Sequence, residues 1–129
     1  MRKYLLHILI ISFVFLLVST AHVASYAGEI ENAKEEVRNN PDDAKAHYNL
    51  GLAYKKSGMN KKAIESYKQA VRIDPDYRDA HYNLGVAYIS LSDRGSAMGQ
   101  MMILRRLDYV LSYELYNLVE EKFKEEHPP

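Results

Sequence analysis

The 129-residue sequence predicts an all-α fold. It reads as a helix-turn-helix solenoid of two repeats, preceded by an N-terminal half repeat and closed by a C-terminal capping helix. Three observations predict it. The phrase Ala46-His47-Tyr48-Asn49-Leu50-Gly51-Leu52-Ala53-Tyr54 returns 34 residues later as Ala80-His81-Tyr82-Asn83-Leu84-Gly85-Val86-Ala87-Tyr88. Pro41 with Pro75, Asp42 with Asp76, Ala63 with Ala97 and Arg72 with Arg106 keep the same offset, so a whole unit repeats rather than one word. Within each unit the apolar residues recur at helical spacing, interrupted by turn formers such as Gly58 and Asp74-Pro75-Asp76.

Taken in order, the chain begins with a short positive start, Arg2-Lys3. An apolar run from Leu5 to Val18 follows, broken only by His7 and Ser12. Ser25-Tyr26-Ala27 places small residues at the −3 and −1 positions for cleavage before Gly28, the layout of a secretory signal peptide. The rival reading is an uncleaved anchor. Leu5 to Ala27 is long enough to cross a bilayer, which takes about 20 residues, although Ser19, Thr20, His22 and Ser25 make its far half polar. In either case Arg2 and Lys3 hold the N-terminus inside and direct the rest across the membrane. The expected localisation is therefore outside the cytoplasmic membrane, periplasmic or secreted, or anchored to it. Residues 1–27 are assigned to this segment and 28–129 to the repeat domain.

Glu29 to Asn39 carries Ile30, Ala33 and Val37 at helical spacing and stops before Pro41, so it reads as the second helix of an incomplete repeat. Repeat one spans about 41–74, with helices over Ala44–Ser57 and Asn60–Ile73 around Gly58, which suits a left-handed helix end. Gly51 and Ala63 are small enough for two helix backbones to approach, with Leu50, Tyr54, Ile64 and Tyr67 filling the space beside them. Repeat two spans about 75–108, with helices over Arg78–Leu91 and roughly Arg94–Leu107. Asp108 is a candidate N-cap for a last helix over about 109–126. Its expected apolar stripe is Val110, Leu111, Leu115, Leu118, Val119 and Phe123. Because Tyr109 stands where Pro is expected, this helix could instead continue the one before it. The charged run Glu120 to Glu126 gives a terminal unit its solvated face, and His127-Pro128-Pro129 is a tail.

A 34-residue unit of this content resembles the tetratricopeptide repeat family from about Asn40 to Asp108. The family pattern asks for a large residue, Leu-Gly, Tyr, Ala, an aromatic, a second Ala and Pro. Repeat one answers with Tyr48, Leu50, Gly51, Tyr54, Ala63, Tyr67, Ala70 and Pro75. Repeat two keeps Leu84, Gly85, Tyr88 and Ala97, then departs from the pattern. Met101 replaces the aromatic, Leu104 the second Ala, Tyr109 the Pro, and Ser92 the turn glycine. The resemblance implies a non-enzymatic protein–protein interaction scaffold or adaptor. Its partners would be proteins or peptides; self-association is a further expectation, and membrane contact would run through residues 5–27 if they are uncleaved.

Charge and composition exclude several classes. Removing Arg2 and Lys3 leaves 15 bases against 17 acids, the opposite of a nucleic-acid-binding balance. There is no Cys, so disulfides, thiolate metal sites and a Cys nucleophile are absent. No phosphate-binding glycine loop, paired-carboxylate motif or nucleophile motif occurs, and neither catalytic residues nor a cofactor are expected. Two groups could hold a metal: His47 with His81, at equivalent positions, and Met98, Met101 and Met102 on one helical face. The histidine pair lacks the third and fourth ligands of a metal site, and Met98 and Met101 fall where the resembled family has core apolar residues, which Met fills well, so packing is the favoured role for both. Lys55, Lys56, Lys61, Lys62, Lys68 and Arg72 face only Glu65 and make repeat one locally basic. Such runs are usually solvated helix faces, and an acidic partner or anionic lipid is the functional alternative.

The remaining candidate site is the surface that stacking creates. Successive first helices line a concave groove, which solenoids use for binding. The expected groove residues are Lys45, Tyr48, Asn49, Leu52, Lys55 and Lys56 from repeat one. Repeat two adds Asp79, Tyr82, Asn83, Val86 and Ile89. Tyr48 and Tyr82 would offer aromatic shelves, and Asn49 and Asn83 backbone-directed hydrogen bonds, unless the fold itself uses them. Some members of the resembled family clamp a C-terminal carboxylate with Lys and Asn. Leu52 and Val86 stand where that clamp wants Asn, so this specificity is not expected here.

Overall fold

The computed structural model describes residues 2–124, which form six helices in antiparallel succession: α1 (Arg2–Asn39), α2 (Ala44–Lys56), α3 (Asn60–Ile73), α4 (Arg78–Ser90), α5 (Arg94–Leu107) and α6 (Tyr109–Phe123). Each of the paired helices α2 to α5 falls within a residue of its expected span, because the linkers at Pro41 and Pro75 and the left-handed turns at Gly58 and Ser92 recur at the 34-residue offset.

α1 runs without interruption through residues 27 and 28, so the apolar segment and the half-repeat helix are one rod. From Tyr4 to Thr20 it is exposed on every side, and among the described residues it is the one helix long and apolar enough to cross a membrane. Its last turns belong to the solenoid: Ile30 and Ala33 are buried against Ala53, Leu50 and Tyr54.

The two turns inside the repeats share one geometry. Met59 N donates to Tyr54 O at 2.9 Å, and Asp93 N donates to Tyr88 O at 2.9 Å. The left-handed residue is Gly58 (φ 75°) in one and Ser92 (φ 58°) in the other. Losing the glycine therefore leaves the turn intact and puts a side chain in a conformation that favours Gly. The linkers before α2 and α4 also match. Asp43 N donates to Asn40 O, and Tyr77 N to Asp74 O, each at 3.2 Å.

Leu84 and Ala87 of α4 join Ala63, Ile64 and Tyr67 of α3 in the central core, which stacks repeat two on repeat one. Gly51 is required by a ring rather than by a neighbouring backbone. A Cβ placed there would strike the Tyr67 side chain, which is fully buried. The equivalent notch at Gly85 is filled by Leu115 of α6, since Met101 supplies no ring at the position of Tyr67; a Cβ on Gly85 would lie 2.5 Å from Leu115 Cδ2.

α5 and α6 are separate helices. Asp108 is extended (φ −155°, ψ 102°), and its carboxylate accepts from Val110 N at 3.0 Å and Leu111 N at 3.1 Å, the capping role its type predicts. One residue links α5 to α6, where four link α3 to α4, so α6 starts three residues ahead of the 34-residue register. The inward face shifts accordingly. Ser112, Leu115, Val119 and Phe123 are buried, whereas Val110 (64%) and Leu118 (36%) of the expected stripe are exposed. The methionine expectation also changes: Met98 (38%) and Met102 (69%) are exposed and Met101 is half-buried, so this is not a core stripe. Glu125, Glu126 and the tail His127-Pro128-Pro129 lie outside the described residues.

Candidate functional site

The face made by α2, α4 and α6, with the end of α1 beside it, carries the candidate site. Its predicted residues divide into those the fold consumes and those left facing outward. Asn83 belongs to the first group. Its Nδ2 donates to Tyr48 Oη at 3.1 Å and to Asp79 O at 3.0 Å, while its Oδ1 accepts from Lys55 Nζ at 2.9 Å. One side chain thus ties α2 to α4 at the base of the groove. Tyr48 is half-buried, with its ring 5.0 Å from that of Tyr77 and 5.8 Å from that of Tyr67. It packs as much as it presents. Asn49 donates to Glu36 of α1, at 3.3 Å to Oε2, and so ties α2 to the half repeat.

Burial changes the proton affinities of these groups. The Tyr48 hydroxyl is pushed above its ordinary value first by burial, then by Asp79 and Tyr77. Burial holds the Lys55 ammonium below its usual range. Tyr82 is raised first by burial and then by Glu114 of α6.

Leu52, Val86 and Ile89 are half-buried, and each lines an open depression. The first depression, about 370 Å³, lies between α1 and α2, over Ala33, Leu52 and Ala53 with Glu29, Asn32, Glu36, Asn49 and Lys56 around it. The second, about 500 Å³, lies between α4 and α6 and is lined by Val86, Ile89, Ser90, Leu118, Glu121 and Lys122. Both pair an apolar floor with charged rims, the makeup that suits a side chain of a docked segment. Lys45 and Asp79 are exposed and border no depression among those described. Lys56 is also exposed and pairs with Glu29 at 2.9 Å.

Sequence reasoning missed the contributions of Asn32 and Glu36 from α1 and of Leu118, Glu121 and Lys122 from α6. A signal existed for one of them. Tyr116-Asn117-Leu118 is a third copy of the Tyr-Asn-Leu triplet, again 34 residues on, and the early start of α6 turns it toward the groove and solvent instead of the core.

The other candidate ligands are engaged. His47 Nε2 donates to Pro41 O, and His81 Nε2 to Pro75 O, each at 2.8 Å, so both rings tie a first helix to the linker before it. His81 is buried, and its Nδ1 meets the side-chain amide of Gln100 at 2.8 Å. Among the described residues, no three His, Cys, Asp or Glu side chains converge.

Two family models match the chain: a tetratricopeptide repeat model over residues 20–65 and a TPR repeat model over residues 56–92. No curated protein matches it. Among solved structures, MamA (41-end) from Desulfovibrio magneticus RS-1 is 28% identical, with a TM-score of 0.63 over 70% of this chain and 51% of that one. The TPR2B domain of yeast Sti1, solved in a pHsp70 complex, superposes with a TM-score of 0.70 at 19% identity, covering 83% of this chain and 90% of that one. YrrB, described as a TPR protein with an unusual peptide-binding site, gives 0.66 at 21% identity over 75% and 51%. The chain spans about half the length of the MamA (41-end) and YrrB chains, 51% of each.

Proposed function

Because the chain belongs to the tetratricopeptide repeat family, we propose that it is a non-enzymatic adaptor that holds a peptide or helix of another protein on the face of its first helices. The observation that carries this reading is the pair of apolar depressions at the two ends of one face, separated by the Lys55–Asn83–Tyr48 tie. A segment laid along this face seats one apolar side chain on Leu52 and Ala53 and another on Val86, Ile89 and Leu118. The charged rims, Glu29, Glu36 and Lys56 at one end and Glu121 and Lys122 at the other, set its register. No bond is made or broken. Structural relatives are consistent with such docking: the Sti1 domain was solved with a pHsp70 partner, and YrrB carries a peptide-binding site.

We place this adaptor outside the cytoplasmic membrane. In the anchored form the apolar segment and the packed half repeat are one helix, so α1 would carry the solenoid directly on the membrane. The test is photo-crosslinking in the cells that make the protein. A photoreactive residue at position 86 or 118 should yield the same discrete adduct, and one at position 69, on a second helix, should yield none. Absence of an adduct at both groove positions sinks the reading.

A further inference from the structure

The basic run of repeat one is not spread along its helices. Lys56 ends α2, and Lys61 and Lys62 lie in the first turn of α3, so three lysines flank the turn Ser57-Gly58-Met59, with Lys62 Nζ 5.6 Å from the Tyr54 ring centroid. All three lysines are exposed, and Met59 at the tip is 43% exposed. α1 leaves the solenoid beside this tip: Tyr26, Ala27 and Ile30 enclose a small apolar cavity with Ser57 and Met59, and Lys56 Nζ pairs with Glu29. The height of the turn along α1 is therefore fixed. From Tyr4 to Ser25 the helix is roughly 33 Å long at about 1.5 Å per residue, close to the ~30 Å of a bilayer's hydrocarbon core. A spanning α1 brings Tyr26 to the membrane–water interface, where Tyr is favoured, and the lysine-ringed tip to the headgroups.

We propose that the α2–α3 turn rests on the surface of an anionic bilayer, with Met59 entering the interface, Lys61 and Lys62 facing lipid phosphates and Lys56 held on Glu29 of α1. This contact sets how the solenoid stands on the membrane. Leu91, 42% exposed in the α4–α5 turn, lies at the same end of the antiparallel stack and extends the apolar footing. The acids Glu120 and Glu121 also lie at this end, on the helix farthest along the chain from α1, so the charge pattern tilts the stack toward its α2–α3 side. The inference rests on the anchored reading of α1 and is independent of what the groove binds.

The absence of cysteine makes the test direct. The full chain carrying Met59→Cys, or Asp42→Cys at the opposite end of the stack, is labelled with a polarity-sensitive fluorophore. It is then reconstituted in vesicles whose lipids bear bromine on the acyl chains. One set is phosphatidylcholine alone; the other contains equal parts phosphatidylcholine and phosphatidylglycerol. The label at 59 should lose most of its emission in the anionic vesicles and less in the neutral ones, while the label at 42 stays bright in both. Adding Lys61→Glu and Lys62→Glu should restore the emission at 59. Equal emission at 59 and 42 overturns the contact, and unchanged quenching after charge reversal overturns its electrostatic basis. Carbonate extraction of the vesicles separates the causes. A chain that washes off overturns the anchored reading and this inference with it, whereas a retained chain with a bright label at 59 overturns the inference alone.

Discussion

Single positions in this chain are set by what each meets. Tyr67 fills the notch at Gly51 with its ring, yet its hydroxyl is buried without a hydrogen-bond partner. Leaving such a group unsatisfied costs about 1–3 kcal/mol, so Tyr67→Phe should melt at or above the parent temperature. The same burial, with Tyr48 nearby, raises the proton affinity of Tyr67 well above its ordinary value. An unfolded chain releases this proton near pH 10 while the folded chain keeps it, so stability holds below about pH 10 and falls above it. Chemical denaturation at rising pH should show a shallower loss for Tyr67→Phe than for the parent, with the remainder due to Tyr48, Tyr77 and Tyr82, which are raised too. Gly51→Ala drives a methyl into that ring and should destabilise by about 1–3 kcal/mol, more than the helix-propensity gain returns. Ser92→Gly relieves a positive φ and should stabilise by about 1 kcal/mol.

At the level of elements, α6 decides how the stack ends. Its start three residues ahead of the repeat register follows from the one-residue linker at Asp108. Leu115 then occupies the Gly85 notch, and Val119 and Phe123 cover Ala97. Removing residues 109–129 uncovers all of these, and the truncated chain should lose its cooperative melt and aggregate. Asp108→Ala removes the cap and the Arg78–Asp108 ion pair together and should cost about 1–2 kcal/mol while leaving the melt cooperative. The boundaries of α2 to α5 were readable because the 34-residue offset carries the limits of repeat one onto repeat two even where Ser92 and Tyr109 replace the turn formers. The face of α6 was not, since a stripe read from spacing alone cannot show that the helix is rolled by a shortened linker. The methionines failed as core in two ways: Met102 stands at the position of Lys68, which is exposed in repeat one as well, and Met98 stands at that of Ile64, which is buried there.

The whole molecule is held together from repeat to repeat by few polar ties, and the most connected of them is Asn83. Asn83→Ala leaves Tyr48 Oη and Lys55 Nζ unpaired and should cost about 1–3 kcal/mol in a thermal or urea melt. A groove probe built on Asn83 or Tyr48 therefore reports on folding as well as binding. Val86 and Leu118, half-buried or exposed and lining the α4–α6 depression, are the cleaner positions. By itself the sequence determined the repeat unit, the limits of α2 to α5 and the side on which first helices align. These follow from local rules: a 34-residue period, Pro and Gly stops, and helical spacing. Tertiary structure alone decided which groove residues the fold uses for itself, that α1 is one rod from the apolar segment into the solenoid, and that α6 helps line the groove. Those depend on how far one helix is rolled against another, and that roll is fixed by contacts between residues far apart in the chain, such as Leu115 with Gly85 and Asn83 with Tyr48.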